Sequence, residues 1–160
     1  MTGGTLNRSA IILNLATALK MHLRGSGCRP FAEGTKTRVA ARNAFYYPDV
    51  VVTCDDRDQP SNQQYIEHPC LIIEVLSPST ARFGREASPQ EIRTEKFADY
   101  RAIATLRDYI LVATDRRFVE HFQRDDRGNW TLTAPTDAIA INHLNCTIAI
   151  AEIYEDTDIL

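Results

Sequence analysis

The sequence predicts an α/β fold, a mixed β-sheet flanked by helices. Three observations carry that expectation. Residues 71–76 and 109–113 are near-continuous apolar runs rich in branched side chains, the pattern of central strands covered on both faces. Residues 7–24 and about 88–103 repeat apolar side chains at helical spacing. The order along the chain is helix, strands, helix, strand, strands, which suits helices layered on a sheet better than a bundle or a sandwich.

The elements follow in order. Ile11, Leu15, Ala18, Leu19 and Leu23 form one stripe over 7–24, and Gly25-Ser26-Gly27 ends that helix. Residues 28–40 read as a hairpin-like pair broken near Gly34. Strands are expected at about 48–54 and 70–76, joined by a polar loop with Pro60-Ser61-Asn62 as breaker. Ser88-Pro89-Gln90-Glu91 opens the second helix, with Ser88 as N-cap and Pro89 in the first turn. A strand follows at 109–113. Phe118 to Phe122 alternates, and Asp126-Arg127-Gly128-Asn129 turns it into Trp130-Thr131-Leu132-Thr133. A last strand at about 148–151 runs into a short helical turn ending near Tyr154.

The 160 residues are expected to form a single domain, 1–160. Apolar residues make up 44% and charged residues 24%, an ordinary globular balance. The apolar runs are too short for a membrane span, and the N-terminus lacks a secretory pattern, so a cytoplasmic protein is expected. Cysteines at 28, 54, 70 and 146 form no CxxC pair, which argues against zinc and favours free buried thiols. The net charge of −3 argues against non-specific coating of nucleic acid. A local basic groove stays open, because 82–107 holds six basic residues against four acids.

The chemistry lies in two strands that each carry one carboxylate. Asp49 stands at the entrance of Val50-Val51-Val52, and Glu74 sits inside Leu71-Ile72-Ile73-Glu74-Val75-Leu76. A buried ionised carboxylate costs several kcal/mol unless a cation or hydrogen bonds compensate it. Two such acids on neighbouring strands suggest a shared hard cation, the arrangement that metal-assisted phosphodiester hydrolysis uses. Lys96 borders the apolar stripe Ile92, Tyr100, Ile103 of the second helix and can reach the acids; Lys36 is a competing candidate. The histidines at 22, 68, 121 and 143 lack metal-ligand spacing, and His121 reads as a half-exposed strand residue. Asp55, Asp56 and Asp58 read as solvated loop charge, and Trp130 as a packing residue.

The ordered set Tyr47-Pro48-Asp49-Val50-Val51-Val52, Ile73-Glu74-Val75-Leu76-Ser77-Pro78-Ser79-Thr80, Lys96-Phe97-Ala98-Asp99-Tyr100-Arg101 and Leu106 to Val112 resembles the bacterial Uma-type family of endonucleases, within the PD-(D/E)XK restriction-endonuclease-like superfamily. The likeness covers nearly the whole chain. It implies a three-layer restriction-endonuclease-like fold. It also implies a Mg²⁺ (or Mn²⁺) site built from Asp49, Glu74 and the main-chain carbonyl of Val75, with Asp49, Glu74 and Lys96 catalytic. The superfamily lysine two residues after the second acid is replaced by Leu76, and Lys96 is the position matching families that move it to the next helix. Relative to the family, the N-terminus is expected to be short, and the helix over 7–24 offers no Glu. The implied activity is hydrolysis of DNA phosphodiester bonds, with DNA as partner, no membrane, and a homodimer as the assembly that would cut two strands. The alternative is a catalytically inactive nucleic-acid- or protein-binding module on the same fold.

Overall fold

A computed structural model describes residues 5–76 and 89–160. Its centre is a six-stranded sheet of β1 (Arg29–Phe31), β4 (Val50–Thr53), β6 (Pro69–Val75), β7 (Asp108–Val112), β8 (Val119–Arg124) and β9 (Trp130–Thr133). They lie in the order β1-β4-β6-β7-β8-β9, and the β6–β7 pair is parallel while the other neighbours are antiparallel. Every residue of β4, β6 and β7 is buried, as their apolar runs require.

Alternate residues of these strands feed two cores. On one face, Val50, Val52, Leu71, Ile73 and Ile110 pack against α1 (Leu6–His22) and against Ile139, Ile148 and Ile153. The last three come from β10 (Ala138–Ile141), β11 (Cys146–Ala149) and α3 (Ile150–Ile153). On the other face, Val51, Ile72, Tyr109 and Leu111 pack with Tyr100 of α2 (Pro89–Tyr100), and with Val39 and Ile66 from a small second sheet. That sheet has the order β3-β2-β5, formed by β2 (Lys36–Val39), β3 (Ala44–Tyr46) and β5 (Tyr65–Ile66). The result is the expected three-layer α/β arrangement. Among the described residues, no helix is long and apolar enough to cross a membrane.

Several local expectations are corrected. Residues 28–40 do not form a hairpin: β1 joins β4 in the large sheet, and β2 pairs with β3 and β5 in the small one. Two hairpins, β2–β3 and β10–β11, share one device. Each is closed by a 3₁₀ turn ending in a left-handed Asn, Asn43 at φ 50° and Asn145 at φ 49°. The second helix ends at Tyr100, three residues earlier than expected. Its expected cap, Ser88, lies outside the described residues, as do Ser77 to Thr80.

Cys28 and Cys54 are joined in a disulfide, which overturns the expectation of free thiols for that pair; Cys70 and Cys146 are free and buried. The register explains the bond. Arg29 faces Thr53 across β1 and β4, so Cys28 and Cys54 are the next opposed positions. Asp58 is not solvated loop charge. It is buried and accepts hydrogen bonds from the Thr53 hydroxyl (2.8 Å) and the amides of His68 (2.8 Å) and Glu67 (3.1 Å), tying the polar loop to the sheet. Trp130 packs as expected, 5.3 Å edge-on to Phe97.

Candidate active site

Asp49 and Glu74 meet because of strand register. Val50 faces Ile73 in the antiparallel β4–β6 pair, so the next step along the ladder sets Asp49 opposite Glu74. Both are buried, 6% and 8% exposed, although Asp49 at a strand entrance could have been a surface acid. The Val75 amide locks Asp49, donating to its Oδ2 at 2.7 Å. On the far side of the pair, the Tyr100 hydroxyl donates to Glu74 Oε1 at 3.1 Å, and Lys96 Nζ lies 3.5 Å from the same oxygen. Lys96 and Tyr100 are one helical turn apart on α2, so both reach β6 from the same side.

Burial pushes both carboxyl pKa values above the ordinary range. For Asp49, desolvation outweighs the Val75 amide and the Arg8 charge; for Glu74, it outweighs Lys96, and the nearby Asp49 charge adds to the rise. Burial, then the Glu74 charge, likewise raises the Tyr100 hydroxyl. Tyr46 completes the wall. Its hydroxyl donates to Asp99, its ring stands edge-on to Tyr100 at 5.2 Å, and Lys96 Nζ lies 6.0 Å from its centroid. The bond to Asp99 and burial push the Tyr46 pKa up to about 12.

The structure brings together Asp49, Glu74, Lys96 and the backbone of Val75, all four expected positions. It sets Lys36 aside: that side chain lies on the outer face of the small sheet, 4.9 Å from the Phe45 ring centroid. Sequence reasoning missed Arg8. Its Nη2 pairs with Asp49 Oδ1, its Nε donates to the Val75 carbonyl at 3.3 Å, and its Nη1 reaches Glu33 at 3.1 Å. The signal for it was available. Arg8 lies in the first turn of α1, where the helix dipole disfavours a cation and where no acid occurs.

A metal ion would therefore be held by two carboxylates and one carbonyl. Among the described residues, no group of three or more His, Cys, Asp or Glu side chains is arranged to hold one. The donors are all oxygens, which suits a hard cation such as Mg²⁺ rather than zinc. A positive charge already sits there, since the Arg8 guanidinium bridges two of the three donors.

The fold places the chain among α/β proteins with a mixed sheet flanked by helices. It superposes with TM-score 0.69 on the crystal structure of a putative nuclease belonging to DUF820 from Anabaena variabilis ATCC 29413, covering 96% of this chain and 82% of that one. At 15% identity that likeness speaks for the fold alone. Residues 1–146 match the Uma2 family model, described as "putative restriction endonuclease", and the chain belongs to that family. It is 33% identical over 156 residues to slr1290 of Synechocystis sp. (strain ATCC 27184 / PCC 6803 / Kazusa), covering 96% of this chain and 77% of that protein. A second protein of the same organism, sll1609, is 29% identical over 134 residues, covering 83% of this chain and 71% of its own length.

Proposed function

We propose that the protein is a metal-dependent endonuclease that hydrolyses DNA phosphodiester bonds at Asp49 and Glu74. The observation that carries this reading is the convergence of two buried carboxylates, set side by side by strand register, with one lysine at the end of β6. A fold gains nothing in stability from such a pair, so a function for it is the better account. Mg²⁺ or Mn²⁺ would be held by Asp49, Glu74 and the Val75 carbonyl, and would supply positive charge against the phosphate and acidify water.

The protein's own groups do the rest. The Val75 amide holds Asp49 in a fixed rotamer, and Tyr100 does the same for Glu74. Lys96, half-buried and 3.5 Å from Glu74, offsets charge that builds on the phosphate oxygens as water attacks phosphorus and the ester P–O bond breaks. Its Nζ is placed against the Glu74 carboxylate to stabilise charge rather than to take a proton from water. Nicking of supercoiled plasmid with Mg²⁺ or Mn²⁺ tests the reading. Asp49→Ala and Glu74→Ala should each lower the rate on the order of 100-fold or more. Unchanged nicking in both variants would end it.

A second reading has its own support. Arg8 holds Asp49 and the Val75 carbonyl, and a guanidinium kept there permanently would make the domain a non-catalytic binding module. Calorimetric titration with Mn²⁺ separates the two: the module takes up no metal, whereas the enzyme does.

A further inference from the structure

The small sheet presents a face that the active site does not use. Side chains alternate along β2 and β3. Thr37, Val39 and Tyr46 point inward, the first two fully buried and Tyr46 against Tyr100. Lys36 and Arg38 therefore point outward, joined by Phe45, which pairs with Arg38 across the ladder, and by Tyr65, which pairs with Lys36. Tyr47, the next residue beyond β3, flanks them. Phe45 is 45% and Tyr47 59% exposed, and they are the exposed aromatic side chains among the described residues. Leaving two large rings about half in water forgoes roughly 1 kcal/mol of burial each, and their clustering on one face calls for an occupant.

The chemistry of the face narrows that occupant. Lys36 Nζ lies 4.9 Å from the Phe45 centroid and 6.0 Å from that of Tyr47; Arg38 Cζ lies 5.9 Å from Tyr65. Phe45 and Tyr65 meet edge to face at 5.8 Å. Rings interleaved with cations match a polyanion that carries flat apolar groups. Glu67, the residue after β5, is paired with Arg38 at 3.5 Å, so it adds no unpaired negative charge. Double-stranded DNA keeps its bases stacked and offers such a face only phosphates. Unpaired bases offer their π-faces as well.

We propose that the outer face of β3-β2-β5 is a stacking platform for unpaired nucleotides, which the protein feeds to Asp49 and Glu74. The proposal rests on the nuclease reading and deepens it, naming a substrate with single-stranded character. Proximity supports the link. Tyr47 is two residues from Asp49, at most about 7 Å of extended chain. Tyr46, just before Tyr47, points to the opposite side of β3 with its ring against Tyr100 and Lys96 in the site, so platform and acids lie on the two faces of one strand and meet where the chain leaves it at Tyr47. Phe45 and Tyr47 stack successive bases while Lys36 and Arg38 take the intervening phosphates. The overall charge of −3 makes this local cation set, rather than the whole molecule, the source of attraction.

The test is fluorescence anisotropy with a labelled oligothymidylate and with a duplex of equal length, in EDTA so that cleavage cannot intervene. Phe45→Ala and Tyr47→Ala should each weaken oligothymidylate binding about tenfold. Tyr47→Phe should retain binding, and Leu132→Ala, an exposed apolar residue on β9, should change nothing. Circular dichroism checks that the outward-facing variants remain folded. Equal affinity of wild type and both alanine variants, a parallel loss of duplex binding, or no oligothymidylate binding by the wild type would each overturn the platform. Its failure is distinct from that of the nuclease reading, which is judged by plasmid nicking in Asp49→Ala and Glu74→Ala.

Discussion

Strands β6 and β7 run parallel and bury a carboxylate at either end, and the two ends treat it oppositely. At one end Glu74, with Asp49 beside it, has its pKa raised. Three residues back along the register, Leu71 faces Asp108, roughly 10 Å away along the strands. Asp108 is 3% exposed, yet its pKa is lowered: burial alone would raise it, but hydrogen bonds from His121 and His143 win. His121 Nε2 sits 2.5 Å from Oδ1 and His143 Nδ1 2.7 Å from Oδ2, so each oxygen has its own partner. At Glu74, Lys96 and Tyr100 share Oε1, and the neighbouring acid repels it. Burial is the same at both ends. Partners decide whether a buried acid stabilises the fold or strains it, and the strained end is the one that suits chemistry.

The largest effect expected from breaking this contrast is on stability at the held end. Asp108→Ala leaves buried His121, opposite Ile110, without its partner, and should cost roughly 3–5 kcal/mol in a urea melt. A loss under 1 kcal/mol would mean that the histidines are not what keeps the acid there.

Acid sharpens the point. Because the folded pKa of Asp108 lies below its unfolded value of about 3.9, its contribution is fully present above that value and is lost as pH falls through the folded pKa. Asp108→Asn should therefore lie below wild type at neutral pH, and the gap should narrow as pH falls from 5 through the folded pKa of Asp108. Parallel pH curves for the two proteins would contradict the lowered pKa.

At the strained end the expected changes are smaller and of opposite sense. Arg8→Ala removes the guanidinium that bridges Asp49 and the Val75 carbonyl, and should raise Mn²⁺ affinity about tenfold, some 1.4 kcal/mol, by calorimetry. Glu74→Gln, measured without metal, should raise stability by about 1 kcal/mol, because it removes a buried charge while keeping an acceptor for Tyr100. Destabilisation of that size instead would place Glu74 with Asp108 as a structural acid.

Much of this was legible in the sequence wherever a residue contradicted its surroundings. Glu74 inside an apolar strand marked the site, and the helical stripe brought in Lys96. The three-layer order followed from 71–76 and 109–113 as doubly covered strands. What escaped was set by tertiary pairing. β2, β3, β5, β10 and β11 span only two to four residues each, too short for periodicity to declare. Their turns depend on Asn43 and Asn145 at positive φ, which composition alone does not reveal. His121 looked half-exposed because it alternates with Phe122; across the strand pair it meets Ile110, and its ring reaches the buried Asp108 instead of solvent. The Cys28–Cys54 bond required knowing that β1 pairs with β4 rather than with β2. The helix over 7–24 was searched for an acid and offered none, so Arg8, the cation in its first turn, went unnoticed.

The cross-link between Cys28 and Cys54 has a practical consequence. It closes a loop with a sequence separation of 26, worth about 3 kcal/mol, and it grips the far end of the strand that Asp49 begins. Cys70, whose thiol pKa burial pushes up to about 12, lies 3.5 Å from the Cys54 sulfur and stays an inert spectator while its neighbours remain bonded. A preparation kept in thiol reductant is thus a covalently different molecule, with β1 tied to β4 by three residue pairs alone. Stabilities and affinities gathered from such material would describe a looser relative of this protein.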